Sequence, residues 1–244
     1  KGGVGKTTVS GTIGCQSALN GYNTLLIDCD PQGNLSSWFL DSTPRYELAD
    51  VLQGKCFVDE AIIPLAGIEN LYILPTFGIG GTLKNYSETK LADEPFVIQD
   101  LIKELSEKFD RIILDLSPGL GRLERAALIA SNEIITPMTS EVFSLDGLEI
   151  FIDELARLKK NYKSSVKHNK IIINSFDERI KQHRDIYNAA EASGKFSVFK
   201  IPVDPIFRKS QEANKVPQTH KVRGRGMKAT TTEALKVIDK SIWK

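Results

Sequence analysis

The sequence predicts an α/β fold in which helices flank both faces of a mostly parallel, twisted sheet. Short runs of β-branched and apolar residues alternate with longer segments whose apolar residues recur at helical spacing. The opening residues KGGVGKTT place three glycines, two lysines and two threonines at the start of one of these helical segments. Since 244 residues with 41% hydrophobic content can bury one large core, we expect a single domain over residues 1–244.

The elements are expected in alternating order along the chain. Helical spacing predicts helices over Lys6–Asn20, Phe96–Phe109 and Leu148–Leu158. Residues 76–95, with Gly78, Gly80 and Gly81, predict a surface loop. The expected strands are Thr24–Ile27, Leu71–Leu74, Arg111–Leu114, Glu133–Pro137, Lys170–Asn174 and Phe196–Ile201.

Composition excludes several classes of protein. No apolar run approaches the roughly 18 residues that a membrane span needs, and the first residues do not form a signal peptide, so we expect a cytoplasmic protein. Three cysteines without CxxC spacing argue against a disulfide framework or a zinc site. The net charge of +1 gives no overall preference for nucleic acid.

The first eight residues have the composition of a phosphate-binding loop. The glycines let successive backbone N–H groups face an anion without Cβ clashes, and the following helix adds its N-terminal dipole. Lys6 is expected to reach the β- and γ-phosphates of ATP, and the Thr7 hydroxyl to bind Mg²⁺. The expected nucleotide-binding residues are Gly2, Gly3, Val4, Gly5, Lys6, Thr7 and Thr8.

A second lysine, Lys1, precedes Lys6 by five residues. With this lysine the loop resembles that of the deviant Walker ATPases, which include ParA, MinD and the nitrogenase iron protein. The resemblance implies a P-loop NTPase fold, ATP hydrolysis, and a homodimer in the ATP state in which Lys1 reaches phosphates held by the partner. Because the family has a strand before this loop, we also expect an N-terminal strand to precede Lys1.

Carboxylates end two of the predicted strands. The segment LLIDCDPQGN resembles the family's DxDPQGN motif, which implies that Asp30 orients the attacking water and that Asp28 lies nearer to the metal. Asp115 follows an apolar run in the pattern of a Walker B strand, whose aspartate supports Mg²⁺ through water. The expected metal site therefore comprises Thr7, Asp28 and Asp115.

Four later segments extend the resemblance. LSPGL resembles the family's D-x-P-P-x-L loop that senses the γ-phosphate, with Gly119 in place of a proline, and PMTSEVFSLDGL keeps Glu141 and Gly147 in register. Asn174 ends a strand where relatives read adenine, and its amide can both donate and accept; a plain strand-end turn is the alternative. Pro202 lies in a segment that resembles the family's I-P motif, which implies a nucleotide contact.

Within this family the cysteines exclude the iron protein, because none stands where a shared cluster requires it. A MinD-like membrane-switched ATPase is the alternative to a partition protein, and it would need a basic amphipathic helix at its end. Residues 232–244 have such a pattern, but their lysines are balanced in part by Glu233 and Asp239. We therefore expect a helix packed on the domain, and we do not expect the membrane as a partner.

Charge distribution favours a ParA-type partition protein. Residues 177–228 hold twelve Lys or Arg against six Asp or Glu, which is +6 in a chain of net +1. Such segregation suits non-specific DNA binding in the nucleoid, although a merely solvated basic face is the alternative. The resemblance further implies a ParB-type centromere-binding protein that stimulates hydrolysis. The candidate DNA-binding residues are Arg208, Lys209, Lys221, Arg223 and Arg225.

Overall fold

A computed structural model of the chain describes residues 2–140 and 143–243, without the side chains of residues 143–146. Within these ranges the chain forms seven strands and eleven helices. The strands are β1 (Thr24–Cys29), β2 (Ile63–Pro64), β3 (Leu71–Leu74), β4 (Arg111–Leu116), β5 (Glu133–Met138), β6 (Lys167–Phe176) and β7 (Ser197–Pro202). The helices are α1 (Lys6–Leu19), α2 (Asn34–Phe39), α3 (Leu48–Leu52), α4 (Val58–Ala61), α5 (Leu83–Thr89), α6 (Val97–Leu105), α7 (Arg122–Ala130), α8 (Phe143–Tyr162), α9 (Lys181–Ala192), α10 (Ile206–Glu212) and α11 (Ala229–Ile242).

The strands pair in two groups, and nearly all neighbours are parallel. The order is β2-β3-β1-β4 in the first group and β5-β6-β7 in the second. Only the short β2 runs antiparallel to its neighbour among the described strands. The mostly parallel α/β architecture expected from the alternation of elements is thus confirmed.

Helices cover both faces of the first group because β1 is apolar on both sides. Leu25 and Ile27 pack into a core with α3, α5, α6 and α7. Leu26, between them in sequence, points to the other face and packs with α1 and α2. A strand buried on both faces is typical of parallel sheets, and it explains the continuous apolar run.

Helix α1 connects the two groups of strands. Its Val9 and Ile13 pack in one cluster with residues of β6, β7 and α11, while β4 and β5 contribute Ile113 and Ile135 at its margin. The residues at the start of α1 therefore lie above the junction of the two groups, at the carboxyl ends of the strands.

Helix α11 is packed on the protein, as we expected for the C-terminal segment. Its Leu235, Ile238 and Ile242 are buried. Asp239 forms a buried salt bridge of 2.8 Å with Arg111 and accepts a hydrogen bond from Ser17 of α1. No described helix combines the length and the apolar character needed to cross a bilayer.

Several boundaries differ from those predicted. β1 and β4 continue to Cys29 and Leu116, so Asp28 and Asp115 lie within strands rather than after them. Residues 76–95 were expected to be loop but contain α5, because Leu83 and Tyr86 supply buried contacts that a composition rich in glycine conceals.

Candidate functional site

The glycine-rich loop at the start of the chain has the backbone shape that its composition predicts. Gly3 and Gly5 adopt left-handed conformations with φ of 77° and 85°. Gly5 is the N-cap of α1, and no side chain of the described residues caps this helix end. The first N–H groups of α1 are thus left to an external partner, and an anion is the favoured one.

Asn174, expected to read a base, lies against this loop. Its Nδ2 donates a hydrogen bond of 3.0 Å to the Val4 carbonyl. A Cβ atom at Gly5 would clash with the same amide nitrogen. Asn174 therefore packs against the glycine-rich loop and supports it. Adenine recognition by Asn174 stays a prediction. A nucleotide contact by Pro202, at the end of β7, stays a prediction as well.

The two aspartates of β1 have different surroundings. Asp28 is fully buried and accepts hydrogen bonds from the Ser36 N–H at 2.8 Å, the Ser36 hydroxyl at 2.7 Å and the Asp30 N–H at 3.2 Å. Burial raises the pKa of Asp28 to about 7, although the Ser36 hydrogen bonds oppose this rise. Asp30 is 7% exposed, and its Oδ1 accepts the Gln32 N–H at 2.9 Å.

Asp28 is thereby engaged in holding α2, which begins six residues later. Metal binding by Asp28 stays a prediction. Asp30 is the aspartate that lines the open cavity described below.

Asp115 has the features of a cation ligand. Its Oδ1 accepts a hydrogen bond of 2.9 Å from Ser10, while its buried Oδ2 has no partner among the described residues. Burial raises the pKa of Asp115 to about 6, opposed by hydrogen bonds from Thr7 and Ser10. An unpartnered buried oxygen beside a threonine hydroxyl suits Mg²⁺, which prefers oxygen ligands and keeps water and phosphate in its shell.

Lys6 lies close enough to Asp115 and Asp30 to be attracted to both carboxylates. Burial lowers the pKa of its ammonium group, and attraction to Asp115 and Asp30 opposes that fall. A partly desolvated lysine on an uncapped helix end provides a strong positive potential for a polyanion.

Lys6 faces an open cavity of about 580 Å³, whereas Asp28 and Asp115 are not among its described lining residues. Of the residues predicted from sequence it brings together the glycine loop, Lys6, Thr7 and Asp30, with Pro118 of the LSPGL segment opposite. Its described lining is Gly2, Gly3, Gly5, Lys6, Thr7, Asp30, Gln32, Asn34, Ser37, Trp38, Pro118 and Gln211.

The sequence interpretation missed several residues of this site. Ser10 lies three residues after Thr7 on the same face of α1, so helical spacing could have revealed it. Trp38 and Gln211 line the cavity, and Gln211 Nε2 donates a hydrogen bond of 2.9 Å to the Thr8 hydroxyl. No local signal connects Gln211 with Thr8, because the two are 203 positions apart.

The LSPGL segment is held in place by α7. Ser117 donates a short hydrogen bond to the Glu124 carboxylate, which is itself buried. Counted from Asp115, the D-x-P-P-x-L pattern places its two prolines at positions 117 and 118, so Ser117 and not Gly119 replaces a proline.

The predicted basic residues lie on two elements. Arg208 and Lys209 belong to α10, where Arg208 contacts Glu212 at 3.5 Å. Lys221, Arg223 and Arg225 are exposed on a tight turn closed by reciprocal hydrogen bonds between Val222 and Arg225. We call this turn, residues 221–226, the basic turn.

The segment before the basic turn is fastened to α1 and α2. The Trp38 ring nitrogen donates to the Lys215 carbonyl at 3.1 Å, and Gln218 Nε2 donates to the Thr12 carbonyl at 2.8 Å. The basic turn therefore continues directly from a segment that contacts the helices bordering the cavity.

Two predicted positions lie outside the described residues. They are Lys1, expected to act across a dimer interface, and Glu141, in register with the family's later motif. The trans role of Lys1 stays a prediction.

Comparison with known proteins supports a family relationship. The model of the AAA domain family matches residues 1–168. The chain is 39% identical over 214 residues to the uncharacterized protein BBD21 of Borreliella burgdorferi, covering 86% of this chain and 85% of the relative. It is 30% identical over 187 residues to the chromosome-partitioning ATPase Soj of Treponema pallidum, and the match covers 76% of this chain and 72% of Soj.

A similar structure is that of a putative plasmid partition protein from Borrelia burgdorferi B31 bound to AMPPNP. The TM-score is 0.79 at 24% identity, with 99% of this chain and 96% of that one covered. At this identity the likeness shows the fold.

Proposed function

Because the chain belongs to the family of ParA/MinD-type partition ATPases, we propose that it hydrolyses ATP with Mg²⁺ and binds DNA non-specifically in an ATP-bound homodimer. In this proposal the protein drives the partition of a plasmid or chromosome and acts in the cytoplasm on the nucleoid. A ParB-type centromere-binding protein stimulates its hydrolysis.

One observation carries the catalytic part of this proposal. Lys6 and Asp30 line the same cavity, at the mouth of a glycine loop that leaves its N–H groups free for an anion. Lys6 and the N–H groups bind and orient the phosphates, since phosphoryl transfer depends mainly on positioning and electrostatics. Asp30 orients the attacking water and accepts its proton.

The residues for Mg²⁺ are Thr7 and Asp115. Bound Mg²⁺ neutralises charge that develops on the phosphate oxygens. Thr7 would provide a hydroxyl ligand, and Asp115, whose Oδ2 lacks a partner among described residues, would support the ion through water. Ser10 fixes the orientation of this carboxylate by its 2.9 Å hydrogen bond.

The basic turn supports the DNA-binding part. Its three cationic residues are exposed, and they lie within five positions of one another on a turn closed by the Val222–Arg225 hydrogen bonds. Phosphate contacts of this kind carry affinity without sequence preference. A dimer doubles the number of contacts on one duplex, and the second subunit then binds at high effective concentration.

The packing of α11 argues against the membrane-switched alternative. A membrane-binding tail needs a free apolar face, whereas Leu235, Ile238 and Ile242 are buried against α1 and β7. Asp239 adds buried polar contacts that membrane binding would break.

The test compares DNA binding with Mg·ATP and with Mg·ADP, at several salt concentrations and with two unrelated duplexes. We expect binding only with ATP, equal for both duplexes, and weaker with rising salt. Replacing Arg223 and Arg225 by alanine should lower the affinity for both duplexes equally. The rate of ATP turnover by the separated subunits should barely change.

Lys6→Ala tests whether DNA binding depends on the nucleotide, since it should abolish nucleotide retention and therefore DNA binding as well. Undiminished ATP affinity in Lys6→Ala would refute the assignment of the phosphate loop. DNA binding that depends neither on the bound nucleotide nor on the salt concentration would refute the partition proposal and leave the assignment of the phosphate loop intact.

A further inference from the structure

Glu47 is a fully buried carboxylate at the start of α3. Its Oε1 accepts the Thr82 N–H at 2.6 Å and the Thr82 hydroxyl at 2.9 Å. Its Oε2 accepts the Phe77 N–H at 2.8 Å and the Thr76 hydroxyl at 3.2 Å. Both oxygens must therefore act as acceptors, because a backbone N–H can only donate. The carboxylate thus holds both ends of residues 76–82, which we call the support loop.

The support loop lies directly beneath the loop that carries Asp30. A Cβ atom at Gly33 would stand 2.8 Å from the Gly78 Cα, and a Cβ at Gly78 would stand 2.8 Å from the Gln32 carbonyl oxygen. Gly33 and Gly78 both have left-handed backbones, with φ of 67° and 71°. Two backbones therefore touch without an intervening side chain, and a shift of one displaces the other.

A second contact joins the same two segments. The Thr76 N–H donates to the Ser36 hydroxyl oxygen at 2.9 Å, and that hydroxyl donates to Asp28 at 2.7 Å. A chain of buried hydrogen bonds thus runs from Glu47 through Thr76 and Ser36 to the aspartate end of β1.

We propose that Glu47 is a positioning residue for ATP hydrolysis: it fixes the support loop, and the support loop fixes the segment that holds Asp30 over the phosphates. The proposal rests on the proposed ATPase function. Glu47 is not among the described residues that line the cavity. It therefore acts through the support loop and not on the reacting atoms. A displacement of about 1 Å at a catalytic group can cost about a hundredfold in rate.

Glu47→Gln is the informative change, because it keeps the shape of the side chain. The glutamine amide must point its NH₂ group at either the Thr82 N–H or the Phe77 N–H, and two donors then face each other. We expect kcat for ATP to fall by about tenfold to a hundredfold, with ATP affinity within about twofold of wild type.

Glu60→Gln is the matched control. Glu60 also accepts a backbone hydrogen bond, from Phe57 at 2.8 Å, but it is exposed and caps α4 away from the support loop. This variant should hydrolyse ATP at the wild-type rate.

The measurements are steady-state turnover with Mg·ATP, ATP affinity by calorimetry, and a thermal melt of each variant. If wild-type protein lacks turnover, the ATPase function itself fails. If the wild type is active and Glu47→Gln matches it, or loses affinity and turnover equally, the positioning role is refuted. Lower kcat with retained affinity supports it.

Thr76→Val decides the question if Glu47→Gln does not fold. It removes one hydroxyl donor to Glu47 and keeps the buried volume and the Thr76 N–H. Loss of one hydrogen bond of about 1 kcal/mol predicts a fall in kcat of up to about fivefold with unchanged affinity. Wild-type kcat in Thr76→Val would then refute the proposal.

Discussion

Gly5→Ala should weaken ATP binding through two separate effects. Gly5 has φ of 85°, and a left-handed conformation costs an alanine about 1–2 kcal/mol. The new methyl group would also displace Asn174 and break its 3.0 Å hydrogen bond to Val4, worth about 1 kcal/mol. The sum of about 2–3 kcal/mol corresponds to a loss of about 30- to 150-fold in affinity.

Gly3→Ala separates the two effects. Gly3 has φ of 77°, but nothing lies within 4 Å of a Cβ built there, so only the backbone effect applies. We expect a loss of about 5- to 30-fold for this variant. Isothermal titration calorimetry with ATP measures both variants. Equal affinities of Gly3→Ala and Gly5→Ala would show that Asn174 does not constrain the loop as described.

Three further predictions concern charged residues. Asp30→Ala should retain ATP binding but slow hydrolysis and trap the ATP-bound dimer, because water positioning is lost while the phosphate loop stays; unchanged turnover would contradict this role. Lys1→Gln should bind ATP as a monomer yet dimerise less with ATP, which light scattering can follow; equal dimerisation by both proteins would count against a trans contact. Asp115→Asn should change how stability depends on pH, because burial raises the Asp115 pKa to about 6 from its usual value of about 3.9. In the nucleotide-free wild type, Asp115 contributes to the free energy of unfolding below pH about 4, and this contribution is lost as the pH rises through about 6. Thermal melts of Asp115→Asn should not show this loss of stability between pH about 4 and about 6.

Much of the fold follows from local patterns. β1, β3, β4, β5, β6 and β7 each overlap a predicted strand, because parallel strands buried on both faces are continuous apolar runs. The short helices α2 to α5 were not predicted. Each has few residues, so its stability depends on tertiary contacts, such as those of Leu48 and Leu83 with the core, rather than on propensity.

The candidate site was predictable where residues are close in sequence. The glycine loop and Asp30 stand in short motifs whose chemistry is local. Glu47, Trp38 and Gln211 act through contacts with segments far along the chain, and no spacing rule connects them. For Asp28 the motif suggested the metal, which stays a prediction, and it gave no sign of the hydrogen bonds from Ser36 that tie this carboxylate to α2.

The position of Trp38 at the wall of the cavity offers an optical view of the site. The chain has two tryptophans, and the other, Trp243, directly follows α11, with its ring 4.8 Å from the Arg111 guanidinium. Replacing Trp243 with phenylalanine leaves a single indole emitter beside the phosphate loop. We expect its emission to change when a ligand fills the cavity, which a titration of the unlabelled protein with ATP would measure.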